Sequence, residues 1–573
     1  MKLSPDSLAS DRRRFLGYFA ALGLGGTVLP GALWARLQDR REIDVETIRC
    51  AEELAGLSFT AEEREQMLAD LVDQNASYQS IRALPLENAV APALRFDPLP
   101  AGAMLPVGEP GPLRSSRPSV TLPTSAEALA YLPVTHLAEL IRTRQLGSEE
   151  LTRVYLDRIA GLDADLFAVV SVTEERALAQ ARAADREIGS GRYRGPLHGI
   201  PWGAKDLLAV RGYPTTWGTP PFRDQVIDAD ATVVRRLDEA GAVLVAKLSL
   251  GELAWGDVWF GGRTRNPWNL EQGSSGSSAG PGAATAAGLV GFSIGSETLG
   301  SISSPSARNG VTGLRPTFGR VPRTGAMTLS WSMDKLGPMC RSVEDCALVL
   351  EAIHGPDGID RSAVAAPFRW DVGRSLTGLR IGYVPGAFER DASENPGEEF
   401  DTAALDRLRS LGVEPIPVDL PAFPYDDLTI ILNAEAAAAF DALTRGGADA
   451  EMVRQERSAW PNVFRAARTI PAVEYINANR IRTLAIEAWA RLFQAVDVIV
   501  TPTNAPAQLT ATNLTGHPAV ILPNGFRSDG TPTSLTFLGG LYEESTLLTV
   551  ARAYQESADF HLRHPRLPRD RSA

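Results

Sequence analysis

Residues 272–301 read QGSSGSSAGPGAATAAGLVGFSIGSETLGS, and this stretch decides how the chain is interpreted. It opens on a Gly/Ser loop. AATAAGLV (283–290) follows, a small-residue helix that lets neighbouring backbone approach closely. VGFSIG (290–295) then alternates like a strand, and a second Gly/Ser loop ends the stretch. Such loops lose more chain entropy on ordering than others, so they are expected to pack around something. A flexible linker is the competing reading, but these loops flank an apolar helix and strand instead of separating domains.

A helical pattern at 230–240 ends at Gly241, and the apolar AVLVAK (242–247) follows as a strand. GLRIGYV (378–384) and VDVIVT (496–501) also read as buried strands, with a mostly helical region at 400–490. Helix followed by buried strand is the grammar of an α/β domain. Nearer the N-terminus, helical patterns run over 136–144 and 148–161. Residues 44–82 read as helical, with Ser58 or Thr60 as caps, and 84–125 as an extended arm over the core.

Residues 11–16 are Asp-Arg-Arg-Arg-Phe-Leu, and an apolar Gly/Ala-rich run follows from Gly17 to Trp34. A basic segment before such a run is a signal-peptide pattern, and Arg12-Arg13 resembles the pair of a twin-arginine export signal. Cleavage is expected after Ala35, giving an exported, periplasmic protein. No later stretch is apolar for long enough to span a bilayer, so no stable membrane insertion is expected after cleavage. The expected organisation is a signal at 1–35, a helical segment and arm at 36–125, a main domain at 126–562 and a tail at 563–573.

The 573 residues carry 57 Lys+Arg against 69 Asp+Glu, a net charge of −12 that argues against a general nucleic-acid binder. The three cysteines, Cys50, Cys340 and Cys346, make no disulfide framework and no Cys-x-x-Cys pair. The six histidines form no His-Glu-x-x-His motif, so neither metal nor cofactor is expected. Gly276-Ser-Ser-Ala-Gly280 fits the Gly-x-Ser-x-Gly nucleophile elbow, but that elbow needs a buried strand before it, and 266–272 is not one. His517, the histidine available to such a triad, lies in a Gly-His-Pro turn where a structural role fits better.

Several motifs in order resemble the amidase signature family. GIPWGAKD (199–206) is similar to its lysine motif, SGSSAGPGAATAAGLV (275–290) to its Gly/Ser core and GSETLGSISSPS (295–306) to its nucleophile loop. GLRPTFGRV (313–321), GPMCRSVED (337–345) and TNLTGHPAVILPNGF (512–526) extend the match, as does a closing helix at 543–556. The resemblance implies an α/β/α fold, a mixed central sheet covered by helices on both faces, and a Ser-Ser-Lys triad. In that triad Ser301 is the acylating nucleophile, Ser277 the bridging serine beside a cis peptide bond and Lys205 the base. The offset of 24 residues before Ser301 selects Ser277 over Ser274, Ser275 and Ser278. The backbone N–H groups of Thr298, Leu299, Gly300 and Ser301 are the expected oxyanion hole.

The chemistry agrees with these roles. A serine hydroxyl needs an adjacent base, and burial lowers a lysine pKa until the neutral amine can serve. The chain departs from the family's usual Thr-Asp-Thr-Gly-Gly-Ser-Ile-Arg, reading Ser296-Glu-Thr-Leu-Gly-Ser-Ile-Ser303. Leu299 replaces a glycine, Glu297 an aspartate and Ser303 an arginine. Arg308 is expected to supply a substitute cation for Glu297. Trp217, Trp255, Trp259 and Trp331 are candidates for an apolar pocket, with ordinary core or rim packing as the alternative.

The expected function is hydrolysis of small amides through an acyl-enzyme, with a small-molecule amide as partner and a homodimer allowed. A protein like the amidase-type component of an amidotransferase, releasing ammonia from glutamine or asparagine, is one alternative. A non-catalytic binding protein that retains the fold is the other.

Overall fold

The apolar segment read at 242–247 forms the strand Val243–Leu248, buried throughout, near one edge of the main sheet. A computed structural model of the protein describes residues 43–84, 113–368, 370–390, 397–505 and 507–567. The signal read at 1–35, most of the arm and the end of the tail lie outside the described residues.

The main sheet runs in the order Val169–Val172, Val243–Leu248, Pro201–Lys205, Phe292–Glu297, Lys335–Cys340, Thr312–Arg315, Ala519–Phe526, Pro532–Gly539, Val498–Pro502, Ile381–Tyr383 and Ile416–Pro417. Pairing is mixed. Pro201–Lys205 is parallel to both of its neighbours, whereas Lys335–Cys340 is antiparallel to both of its own. Helices flank the sheet, so the protein has the mixed α/β fold expected. Ser148–Leu166 and Glu174–Gly189 pack on Val243–Leu248, and Val343–Ile353 packs on Lys335–Cys340.

The strand ending at Lys205 escaped the sequence reading, because Pro201 and Gly203 are poor strand residues. Gly203 is required there: a Cβ on it would lie 2.4 Å from the Leu248 side chain on the adjacent strand. The small-residue helix runs over Ala279–Ala286, earlier than the expected 283–290. It stops short because Gly288 takes a left-handed φ of +64°, which turns the chain toward the strand Phe292–Glu297.

The helices Val45–Ala55 and Ala61–Ala83 precede this body. Thr60, one of the two expected caps, forms a capping box with Glu63. Met67 and Leu71 pack with Ile48 against Ala466, seating the second helix on Trp460–Ala467. In the described part of the arm, Arg114 N–H donates to Trp370 O at 3.0 Å and Ser116 N–H to Glu344 Oε1 at 2.6 Å. Among the described residues no helix is long and apolar enough to cross a membrane.

Candidate active site

Lys205 ends a central strand whose parallel register sets Ala204 beside Ile294, and its Nζ reaches Ser296 on that neighbouring strand. Its side chain is fully buried. Nζ lies 2.8 Å from Ser277 Oγ, 3.0 Å from Ser278 Oγ and 2.9 Å from Ser296 Oγ. No carboxylate among the described residues pairs with it. Burial pushes its pKa well below the ordinary lysine value, against the weaker opposing pull of Asp334 and Glu297.

Ser278 and Ser296 were not expected as lysine partners. Ser278 Oγ donates to Ser296 O and accepts from Ser296 N–H, both at 3.1 Å, so its proton is committed to backbone. Ser277 Oγ makes only its contact with Lys205 among the described residues. The Gly276–Ser277 peptide bond is cis. A Cβ on Gly276 would lie 1.8 Å from Gly256 O, so only glycine fits against the 251–256 loop there.

Ser301 is brought to the same place by the second Gly/Ser loop, and Ser278 N–H donates to Ser301 O at 3.0 Å, tying the two loops together. The Ser277 and Ser301 hydroxyls are not hydrogen-bonded to each other among the described residues. Such bonds are often long before substrate binds. The loop after Phe292–Glu297 is held at both ends. Thr298 Oγ1 donates to Asp334 Oδ1 at 2.6 Å. Glu297 Oε2 accepts from Ile302 N–H at 2.8 Å, from Ser303 N–H at 2.7 Å and from Ser303 Oγ at 2.8 Å. Gly300 turns the loop with φ +85°. The N–H groups of Leu299, Gly300 and Ser301 donate to no protein acceptor among the described residues.

The expected Glu297–Arg308 partnership is not formed. Arg315, at the end of the strand Thr312–Arg315, pairs with Glu297 at 2.8 Å, both side chains fully buried, and Asn513 donates to the same oxygen at 2.7 Å. Arg308 sits in the last turn of the helix Ser303–Asn309, faces outward and donates to Gln272 Oε1 at 3.1 Å. Burial raises the Glu297 pKa, but Arg315, Lys335 and the Ser303 N–H outweigh it and bring it down to about 2. The Glu and Ser substitutions are therefore one rebuilt unit: Ser303 donates to the carboxylate that Glu297 offers.

Ser301 opens onto a cleft of about 900 Å³ lined also by Trp255, Leu299, Leu329, Ile430 and Trp460. Of the four tryptophans singled out, Trp255 lines the cleft. Trp217 packs on Phe222 and Phe440, Trp259 is buried against Phe260, and Trp331 is half exposed outside the lining. Trp460, missed in the sequence, stands edge-on to Trp255 with centroids 4.5 Å apart. Asp70, Asp73 and Gln74 of the helix Ala61–Ala83 form part of the rim. The segment before the Gly-x-Ser-x-Gly match pairs only in a two-stranded hairpin, and His517 is buried against Thr515 and Phe493.

A sheet-borne buried lysine facing a serine, beside a nucleophile-type loop that opens onto a cleft, fits an α/β enzyme of acyl-transfer type. Residues 150–548 match the Amidase family, and the chain belongs to the amidase signature family. It is 35% identical over 484 residues to a glutamyl-tRNA(Gln) amidotransferase subunit of Moorella thermoacetica, covering 77% of this chain and 99% of that one. The peptide amidase from Stenotrophomonas maltophilia is 32% identical with a TM-score of 0.65, over 76% of this chain and 98% of that chain. A vestigial protein complex tied to the origins of an s-triazine catabolic enzyme has a TM-score of 0.68 at 28% identity, over 74% and 98% of the two chains. The protein is thus an amidase-signature enzyme.

Proposed function

We propose that the protein hydrolyses the C–N bond of small amides through an acyl-enzyme on Ser301. Neutral Lys205 takes the proton of Ser277, Ser277 takes that of Ser301, and Ser301 Oγ attacks the amide carbonyl. The proton returns along the same path to the departing nitrogen as the C–N bond breaks. Water, deprotonated by the same relay, then attacks the ester and releases the acid. The open N–H groups of Leu299, Gly300 and Ser301, with Thr298, are assigned to the developing oxyanion.

The observation that carries this reading is the environment of Lys205, buried among hydroxyls with its pKa depressed. Ser301→Ala is expected to abolish both amide turnover and fluorophosphonate labelling while the fold is kept. Hydrolysis by that variant at the wild-type rate would refute the assignment.

The likeness to the Moorella amidotransferase component, spanning nearly all of that protein, supports a second reading in which ammonia is released from glutamine or asparagine. Ammonia assays on the purified chain, set beside an amide library, separate the two. Export is a further part of our proposal and rests on Arg12-Arg13 and the run after it. Cell fractionation tests it.

A further inference from the structure

Three carboxylates and three arginines line the cleft, but they are not paired one to one. Asp257 is paired with Arg263 at 3.3 Å, and Asp70 with Arg457 at 2.5 Å; Asp73 also contacts Arg457. These three carboxylates of the lining therefore already have arginine partners. Arg308 lines the same cleft, is exposed, and among the described residues has only a neutral partner, Gln272. It also lies close enough to Arg527 for the two cations to repel. Arg308 lies in the last turn of the helix Ser303–Asn309, seven residues beyond Ser301. The same lining carries apolar and aromatic side chains, among them Trp255, Trp460 and Leu299.

We infer that Arg308 is a specificity-determining residue that selects amides carrying a carboxylate, with an apolar group packed against Trp255 and Trp460. The inference rests on the proposed hydrolase reading of the site. Guanidinium suits the role because its planar fork meets a carboxylate with two parallel hydrogen bonds.

The test uses amide pairs matched in length and differing in terminal charge. Glutaryl-p-nitroanilide against valeryl-p-nitroanilide places the carboxylate on the acyl side; hexanoylglycine against hexanoyl propylamide places it on the amine side. The wild type is expected to favour the anionic member in one arm by about tenfold in kcat/KM, through KM, and to lose that preference as salt rises. Arg308→Gln is expected to bring the anionic-to-neutral ratio toward one, and Arg308→Lys to retain part of it. An unchanged ratio in Arg308→Gln, or a wild-type preference for the neutral member in both arms, overturns the inference while leaving the hydrolase reading intact. If the wild type cleaves no amide, the hydrolase reading is what fails. Calorimetric binding of hexanoylglycine and glutarate then decides the inference: affinity lost in Arg308→Gln sustains it, and equal affinity overturns it.

Discussion

Lys205 and Lys247 lie on adjacent parallel strands, one step apart in register, and both are fully buried. Lys247 Nζ stands 2.6 Å from Asp206 Oδ1 and also donates to Pro214 O at 2.9 Å and Thr215 Oγ1 at 3.0 Å. Lys205 meets only hydroxyl and carbonyl oxygens. Burial lowers the pKa of both, but beside Lys247 the charge of Asp206 pulls the other way, while the carboxylates that oppose burial at Lys205 are not in contact with it. The lesson concerns partners more than burial. A buried lysine with a carboxylate holds strands together, and one with hydroxyls alone can exchange a proton.

The largest expected effect separates the two lysines. Lys205→Met should cut turnover by about 10²–10⁴-fold, with the urea unfolding midpoint held or raised. Lys247→Met should do the reverse, costing about 3–5 kcal/mol because Asp206 is left buried and unpaired. The double variant Lys247→Met, Asp206→Leu should recover most of that stability. Equal losses of activity per folded molecule in the two single variants would erase the distinction.

A smaller effect concerns the loop that carries Ser301. Glu297→Gln removes a charge bonded to Arg315, Ile302 and Ser303 and should cost about 1–3 kcal/mol. The folded pKa near 2 lies below the ordinary 4.5, so this carboxylate contributes its full stabilisation above pH 4.5 and loses it as pH falls toward 2. Acid titration of thermal stability should show less decline across that window in Glu297→Gln than in wild type. The smallest effect is at the rim: Asp73→Asn, largely exposed, should change stability by no more than about 0.5 kcal/mol, as read by calorimetry.

The sequence made the α/β alternation legible through apolar runs such as 242–247, and its ordered motifs singled out Lys205, Ser277 and Ser301 as candidates. It did not disclose their surroundings. Arg315 and Asn513 meet at Glu297, and Asn513 comes from 216 residues away, a contact no local pattern encodes. Arg308, seven residues beyond Ser301, is the cation expected for Glu297, but it is exposed at the end of its helix, and Arg315 on the strand Thr312–Arg315 makes the pair. Trp460 read simply as part of a helical region at 400–490, and the rim residues Asp70 and Asp73 as part of the helical region at 44–82. Both became cleft residues only through the packing of the helix Ala61–Ala83 on Trp460–Ala467.

The proton relay is tested most directly by the pH dependence of fluorophosphonate labelling at Ser301 in wild type and Lys205→Met. The neutral amine is the active form, so the wild-type rate should rise with pH through a pKa well below 10.5 and then level off. Lys205→Met should lack that step and close on the wild type as pH increases. A parallel rise in both proteins, or a wild-type step at the ordinary lysine value, would contradict Lys205 as the base.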